Sequence, residues 1–292
     1  MGYACLSFMN WRIRKQGIDL SHRALIMGIL NATPDSFSDG GNFLDLSQAR
    51  SHALRMIEEG VDIIDVGGES TRPGAPEVSG EEELRRVIPV IQMLRSEWDG
   101  WISIDTSKSI VARAALETGA DIVNDVSGLR ADPNMVEVCK QFQAGVVVMH
   151  MKGTPRTMQN QPHYDDVVAE VRDFFLQRYR ALIDAGLDPE SLCFDPGIGF
   201  GKTPDHNREL LRNLPQLIIE DRPLLLGVSR KSFIGHLLGS TDLNQRFWPT
   251  VAMTALGRER GAMIHRVHDV KVNVDSLRMT EALMEKSITG VA

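Results

Sequence analysis

Asp65, Asp105, Asn124 and Asp195 each close a short apolar run, and Arg266 and His268 close another, two residues apart. Carboxylates and an amide converging in a water-poor pocket supply acceptors and donors for a flat heterocycle with N–H and C=O edges, such as a pterin. Two cationic donors on one strand end suit a phosphate oxygen. Asn31, His150 and Ser229 end runs of the same kind, which completes a ring of polar groups on apolar staves. Taken singly, an Asp or Asn in such a place is as readily a helix cap or turn former. The repetition is what argues for a pocket.

Two further stretches, residues 27–41 and 65–74, run from an apolar segment into a Gly/Ser/Thr-rich polar loop, the way a β/α enzyme delivers groups to a pocket rim. Pro196–Thr203 contains Gly201-Lys202-Thr203 and invites a phosphate-loop reading, but the glycine required five positions before Gly201 is Pro196. Its alternating glycines also miss the dinucleotide fingerprint. They read as a turn needing left-handed backbone, with Phe200 between two of them offering a ring for stacking. Ser229-Arg230-Lys231-Ser232 follows an apolar strand and precedes a helix. The Lys231 ammonium there suits a heterocycle carbonyl, and Ser232 with the free amides of the helix start suits a carboxylate. The bland reading is a solvated basic turn.

The elements that must position these groups alternate along the chain. Apolar strand-like segments fall at residues 25–31, 62–66, 101–105, 121–124, 145–150, 191–195, 224–228 and 263–266, with amphipathic segments between them. Residues 47–59 read as a helix ended by Gly60, Ser79 and Glu82 as a capping box, Asp132-Pro133 as a cap and first turn, and residues 166–185 as a helix stopped by Gly186. Eight unbroken β/α repeats without a linker predict an α/β fold, a single (β/α)8 TIM barrel with functional groups at the C-terminal strand ends. Residues 1–22 read as a short extension, a strand or hairpin capping the barrel of residues 23–292, with Arg14 and Lys15 solvated.

The 292 residues are 42% apolar and carry a formal net charge of −7, which disfavours a nucleic-acid or anionic-membrane partner. No uncharged apolar run reaches the roughly 18 residues of a membrane span. A secretory signal is not expected, and Leu6 stands where a myristoylation motif needs Ser or Thr. Cys5, Cys139 and Cys193 form no close pair, so a reducing cytoplasm fits.

From about Leu25 to Met284 the chain resembles the dihydropteroate synthase family of folate biosynthesis. The likeness rests on both opening loops and on Ser103–Thr106, Asn124–Gly128, His150-Met151, Phe194–Lys202, Gly227–Ser232 and Arg266–Val270, in the family's order. It implies a transferase that joins 6-hydroxymethyl-7,8-dihydropterin pyrophosphate to p-aminobenzoate and is a target of sulfonamides. By resemblance, Asp105, Asn124, Asp195, Lys231 and Met149 hold the pterin, and Asn31, Thr71, Arg266 and His268 hold the pyrophosphate. Phe37, Ser70, Thr71, Arg72, Pro73, Phe200 and Ser232 form the p-aminobenzoate site, and Asn31 with Asp35 binds Mg2+. Asp105, Lys231, Arg266 and His268 are the expected catalytic groups. The resemblance also implies a homodimer through late-barrel helices, where Phe247-Trp248 is either interface or core. A corrinoid-linked pterin methyltransferase domain is the nearer rival, but it needs neither Thr71-Arg72-Pro73 nor a clamp at Arg266 and His268. A non-catalytic pterin-binding module is the more distant one.

Overall fold

The computed structural model describes residues 9–32, 41–71, 74–154, 157–158 and 161–284. A hairpin of β1 (Asn10–Ile13) and antiparallel β2 (Gln16–Asp19) leads the chain. Strands apolar on both faces are stable only in a parallel sheet covered by helices, and the next eight build one. They are β3 (Leu25–Asn31), β4 (Ile63–Gly67), β5 (Trp101–Asp105), β6 (Ile122–Asp125), β7 (Gly145–Met149), β8 (Leu192–Asp195), β9 (Leu224–Leu226) and β10 (Ala262–Val267), closed into a barrel by pairing of β10 with β3.

The helices α1 (Gly41–Glu58), α2 (Gly80–Glu97), α3 (Ser109–Thr118), α4 (Met135–Phe142), α5 (Val167–Asp184), α6 (Pro204–Arg212), α7 (Ser232–Leu238), α8 (Phe247–Glu259) and α9 (Val270–Met284) wrap the outside. A TIM barrel places its polar strand ends around one mouth. Alternation along β3 shows the two faces: a Cβ on Gly28 would meet Met56, Val61 and Val270 of the outer layer, so Met27, Ile29 and Asn31 face inward.

Local signals set most of the helix ends. Ser79 Oγ accepts from Glu82 N at 3.2 Å, and Asp166 caps α5 by accepting from Val168 N and Ala169 N. The reciprocal capping box occurs at Thr203 and His206, at the start of α6. Two expected starts move. The first helix begins at Gly41 rather than residue 47. Asp132 does not cap α4, which starts after Asn134, because its carboxylate is spent on Ser109 N and Asn134 N.

The hairpin plugs the barrel's N-terminal end. Trp11 and Ile13 are fully buried, and Trp11 Nε1 donates to Ser191 O at 2.9 Å, beside the first residue of β8. Arg14 is not simply solvated as expected. It pairs with Asp121 at 3.0 Å and donates to the carbonyls of Leu116 and Ala120. Trp248 lies on the surface at 69% exposure while Phe247 is half-buried.

Candidate active site

In a parallel barrel the register decides which side chains meet at the mouth. Gly67 pairs with Asp105, Asp105 with Asn124, and Met149 with Asp195. Asp65, two residues before Gly67, lies one layer deeper on the same inward face. A Cβ on Gly67 would stand 3.6 Å from Asp105 Cβ and 3.9 Å from Asn31 Oδ1, so Asn31 and Asp105 flank the same corner.

Arg266 enters this corner from β10. Its Nε donates to Asp65 Oδ2 at 2.6 Å and its Nη2 to Asp105 Oδ2 at 2.7 Å, while Asn124 Nδ2 reaches the same Asp65 oxygen at 3.1 Å. One guanidinium is thus divided between two buried carboxylates. Burial pushes the Asp105 carboxyl up to about 7; Arg266 opposes the rise and Asp65 adds to it. Burial alone would lower the Arg266 pKa, but Asp65 and Asp105 outweigh it and hold the guanidinium charged.

On the opposite side, Asp195 Oδ1 accepts from Gly197 N at 2.7 Å. Burial raises the Asp195 pKa, with Lys231 opposing. Lys231 precedes α7, donates from Nζ to the Ile198 carbonyl, and lies 4.7 Å from the centroid of the Phe200 ring. Burial pulls its ammonium down to about 8, although Asp195 favours the charged form. Met149 packs with Met151, Met158, Val126 and Phe200 into an apolar wall beside these charges. Acids, an amide, a lysine and an apolar wall in one pocket match a flat polar ring laid on its face.

His268 stands at the rim with Nδ1 2.9 Å from Ser229 Oγ, and the same oxygen accepts from His268 N at 3.2 Å. The Ser229 hydroxyl therefore fixes the imidazole. Ser70 and Thr71 are half-buried beyond the end of β4, and Ser232 is the first residue of α7. Their loop is stapled by Glu69, whose Oε1 accepts from Val78 N at 3.0 Å. Lys108 Nζ ties Glu69 at 2.5 Å to the fully buried Glu83 at 2.6 Å. Asp35, Phe37, Arg72 and Pro73 lie outside the described residues.

A family model described as pterin binding enzyme matches residues 27–268. The dihydropteroate synthase of Synechocystis sp. is 48% identical over 91% of this chain and 92% of its own length. This chain belongs to the dihydropteroate synthase family. The solved Xanthomonas albilineans dihydropteroate synthase with 4-aminobenzoic acid is 45% identical, with a TM-score of 0.89 over 96% of this chain and 100% of that one. The Yersinia pestis dihydropteroate synthase with a sulfonamide drug is 44% identical, with a TM-score of 0.88 over 94% and 99%. As a member of the dihydropteroate synthase family the chain is a transferase of folate biosynthesis, in a class targeted by sulfonamides.

Two groups escaped the sequence reading as site residues, Lys108 and Lys202, and Asp65 was read only as one of the polar ring, without its tie to Arg266. Asp65 carried the right signal, a strand-end carboxylate in the polar ring. Lys108 carried none, because its partners Glu69 and Glu83 are distant in sequence, and Lys202 carried only the misleading phosphate-loop pattern, since its contact with His150 crosses 52 positions.

Proposed function

We propose that this chain carries out the condensation of its family, joining 6-hydroxymethyl-7,8-dihydropterin pyrophosphate to p-aminobenzoate to give 7,8-dihydropteroate and pyrophosphate. The observation that carries this is the joining of Asp105, Asn124, Asp195 and Lys231 around one pocket whose rim holds Arg266 and His268. Asp195 and Asn124 bind the polar edge of the pterin, Lys231 its carbonyl, and Met149 its face. Asn31, Thr71, Arg266 and His268 receive the pyrophosphate. Ser70, Thr71, Phe200 and Ser232, with Phe37, Arg72 and Pro73, form the p-aminobenzoate side.

Charge dictates the order of bond changes. Breaking the C–O bond sends its electron pair to the pyrophosphate and leaves a methylene cation delocalised into the dihydropterin. The Asp105 carboxylate, in a water-poor site, stabilises that cation as Arg266 and His268 take up the departing negative charge. The arylamine lone pair then forms the C–N bond, and the nitrogen releases its proton. Arylamines are weak bases with a free lone pair, so this step asks for positioning rather than a strong general base.

Among the described residues, no group of three or more His, Cys, Asp or Glu is placed to hold a metal alone. The set that suits Mg2+ is the Asn31 amide oxygen with the substrate's own diphosphate oxygens, all hard ligands; we assign Asp35 to it as well. Bound there, Mg2+ would supply charge neutralisation to the leaving group.

We assign residues 1–22 to an end-capping extension and residues 23–292 to the catalytic barrel. Exposed Trp248, Leu256, Met279 and Leu283 on α8 and α9 support a homodimer through these helices. Free, buried Cys139 and Cys193 support a cytoplasmic setting. Among the described residues no helix is long and apolar enough to cross a membrane.

The Asp105→Asn variant tests the mechanism. Its turnover falls by about 10²–10³ while pterin affinity stays within a few-fold, as loss of stabilisation specific to the cation requires. Equal losses in binding and turnover would overturn the electrostatic role.

A further inference from the structure

Lys202, the lysine of the failed phosphate-loop motif, points into the protein. It is 2% exposed. Its Nζ lies 2.9 Å from His150 Nδ1, 3.0 Å from Gly197 O, 3.0 Å from Phe200 O and 3.3 Å from His150 O. Burial pulls its pKa well down while Asp195 opposes the shift. Three of the four neighbours are carbonyl oxygens, which only accept, so the three N–H bonds of an ammonium are what the cage is built for. His150 meets this as an acceptor: burial, then Lys202 beside it, pulls the imidazole down to about 2 and keeps it neutral.

These contacts span two elements of the pocket. His150 follows β7, and its N–H donates to Asp195 O at 2.9 Å. Gly197 and Phe200 belong to the loop after β8, which is folded tightly on its neighbour: at φ 63° a Cβ on Gly197 would fall 2.0 Å from His150 O. Gly201, also at φ 63°, would meet Lys152 O at 2.3 Å. Only glycines permit that approach, and Lys202 is the cation that bonds across it.

We propose that Lys202 is the positioning residue of the pterin pocket, a buried clamp between the end of β7 and the loop after β8. By holding Gly197 and Phe200 it sets three features at once: the Gly197 N–H against Asp195 Oδ1, the Ile198 carbonyl against Lys231 Nζ, and the Phe200 ring beside Lys231. The inference rests on the pterin reading of this pocket. It adds a residue that touches no substrate and acts through Asp195, Lys231 and Phe200.

The test compares Lys202→Met, which cannot donate, and Lys202→Gln, which keeps a shorter donor, with Tyr164→Phe as control. Tyr164 Oη anchors the same loop at Gly201 O, 2.8 Å away, without contact to Asp195 or Lys231. Two readings are taken on folded protein: the KM for dihydropterin pyrophosphate, and the Gly197 amide in 1H–15N spectra without ligand. We expect the KM to rise at least tenfold in Lys202→Met and less in Lys202→Gln, and the Gly197 amide to move upfield and exchange faster in both. Tyr164→Phe stays within twofold of the parent. A merely structural lysine would lower thermal stability and leave KM and the Gly197 resonance in place, and that result would overturn the proposal. If Lys202→Met does not fold, Lys202→Gln decides on the same two readings. Should the parent chain fail to bind the pterin diphosphate, the functional reading falls while the Gly197 amide still decides the clamp.

Discussion

Arg266 and Asp105, 161 positions apart in the chain, meet as an ion pair of 2.7 Å across the mouth of the barrel. One was expected to hold pyrophosphate and the other pterin. Their pairing puts the proposed pterin and pyrophosphate groups into a single charge network, with Asp65 on the same guanidinium at 2.6 Å. Removing one partner from such a network leaves buried charge without compensation, at a cost of about 3–5 kcal/mol. Arg266→Met should therefore lower unfolding stability by about that much at pH 8. At pH 5 the loss is smaller, because a carboxylate freed of Arg266 takes up a proton in the folded state. Urea unfolding at the two pH values checks this, and equal losses at both would contradict it.

The shared guanidinium also fixes how Asp105 titrates. Its carboxyl is raised by burial from 3.8 to about 7, so the folded state keeps a proton that the unfolded chain releases, and this group's contribution to stability is lost as pH rises through that window. Asp65→Asn removes one competitor for Arg266 and one neighbouring negative charge. A 13C titration of the Asp105 carboxyl should then show a midpoint below that of the parent. An unchanged midpoint would mean that Asp65 exerts no influence on it.

Lys231 gives the opposite sign. Burial lowers its pKa from 10.5 to about 8, so the unfolded chain holds more protons between these values and stability gains from this group as pH rises. Ligand binding that uses the ammonium runs the other way. Affinity for a pterin analogue should weaken as pH rises through about 8, and Lys231→Met should bind weakly with a flat profile. Calorimetry across pH 7–9.5 measures both; a flat profile in the parent chain would remove Lys231 from pterin binding.

Trp11 is fully buried in the plug at the far end of the barrel from Asp105 and Asp195. Trp11→Ala should cost about 3–5 kcal/mol of stability through the cavity it leaves. Turnover at low temperature, where the variant is folded, should stay within twofold. A large loss of turnover in folded protein would mean that the plug shapes the active mouth.

The strands were legible in the sequence because parallel strands buried on both faces are written as apolar runs ending in polar residues; β3 and β5 match residue for residue. Asn31, Asp105 and Asp195 do end their strands, but β4 runs on to Gly67 and β7 stops at Met149, and His150, expected in the polar ring, instead packs against Phe174 and Lys202. Boundaries failed where a side chain had two uses. Asp132 looks like a helix cap, yet its carboxylate reaches back to Ser109 N, 23 positions away. Arg14 looks like a solvated charge until the fold brings Asp121 beside it. Which acid Arg266 takes, and what Lys202 holds, depend on closure of the barrel and on loops folded across it, and no local pattern encodes them.

The proposed reaction of this pocket joins a pterin diphosphate to an arylamine. The most direct measurement incubates the purified protein with dihydropterin pyrophosphate, Mg2+ and labelled p-aminobenzoate, omitting each in turn, and separates the labelled products. Labelled 7,8-dihydropteroate should form only when all three are present. Tight binding of the pterin diphosphate with no labelled product in the complete mixture would contradict it and leave a pterin-binding module in its place.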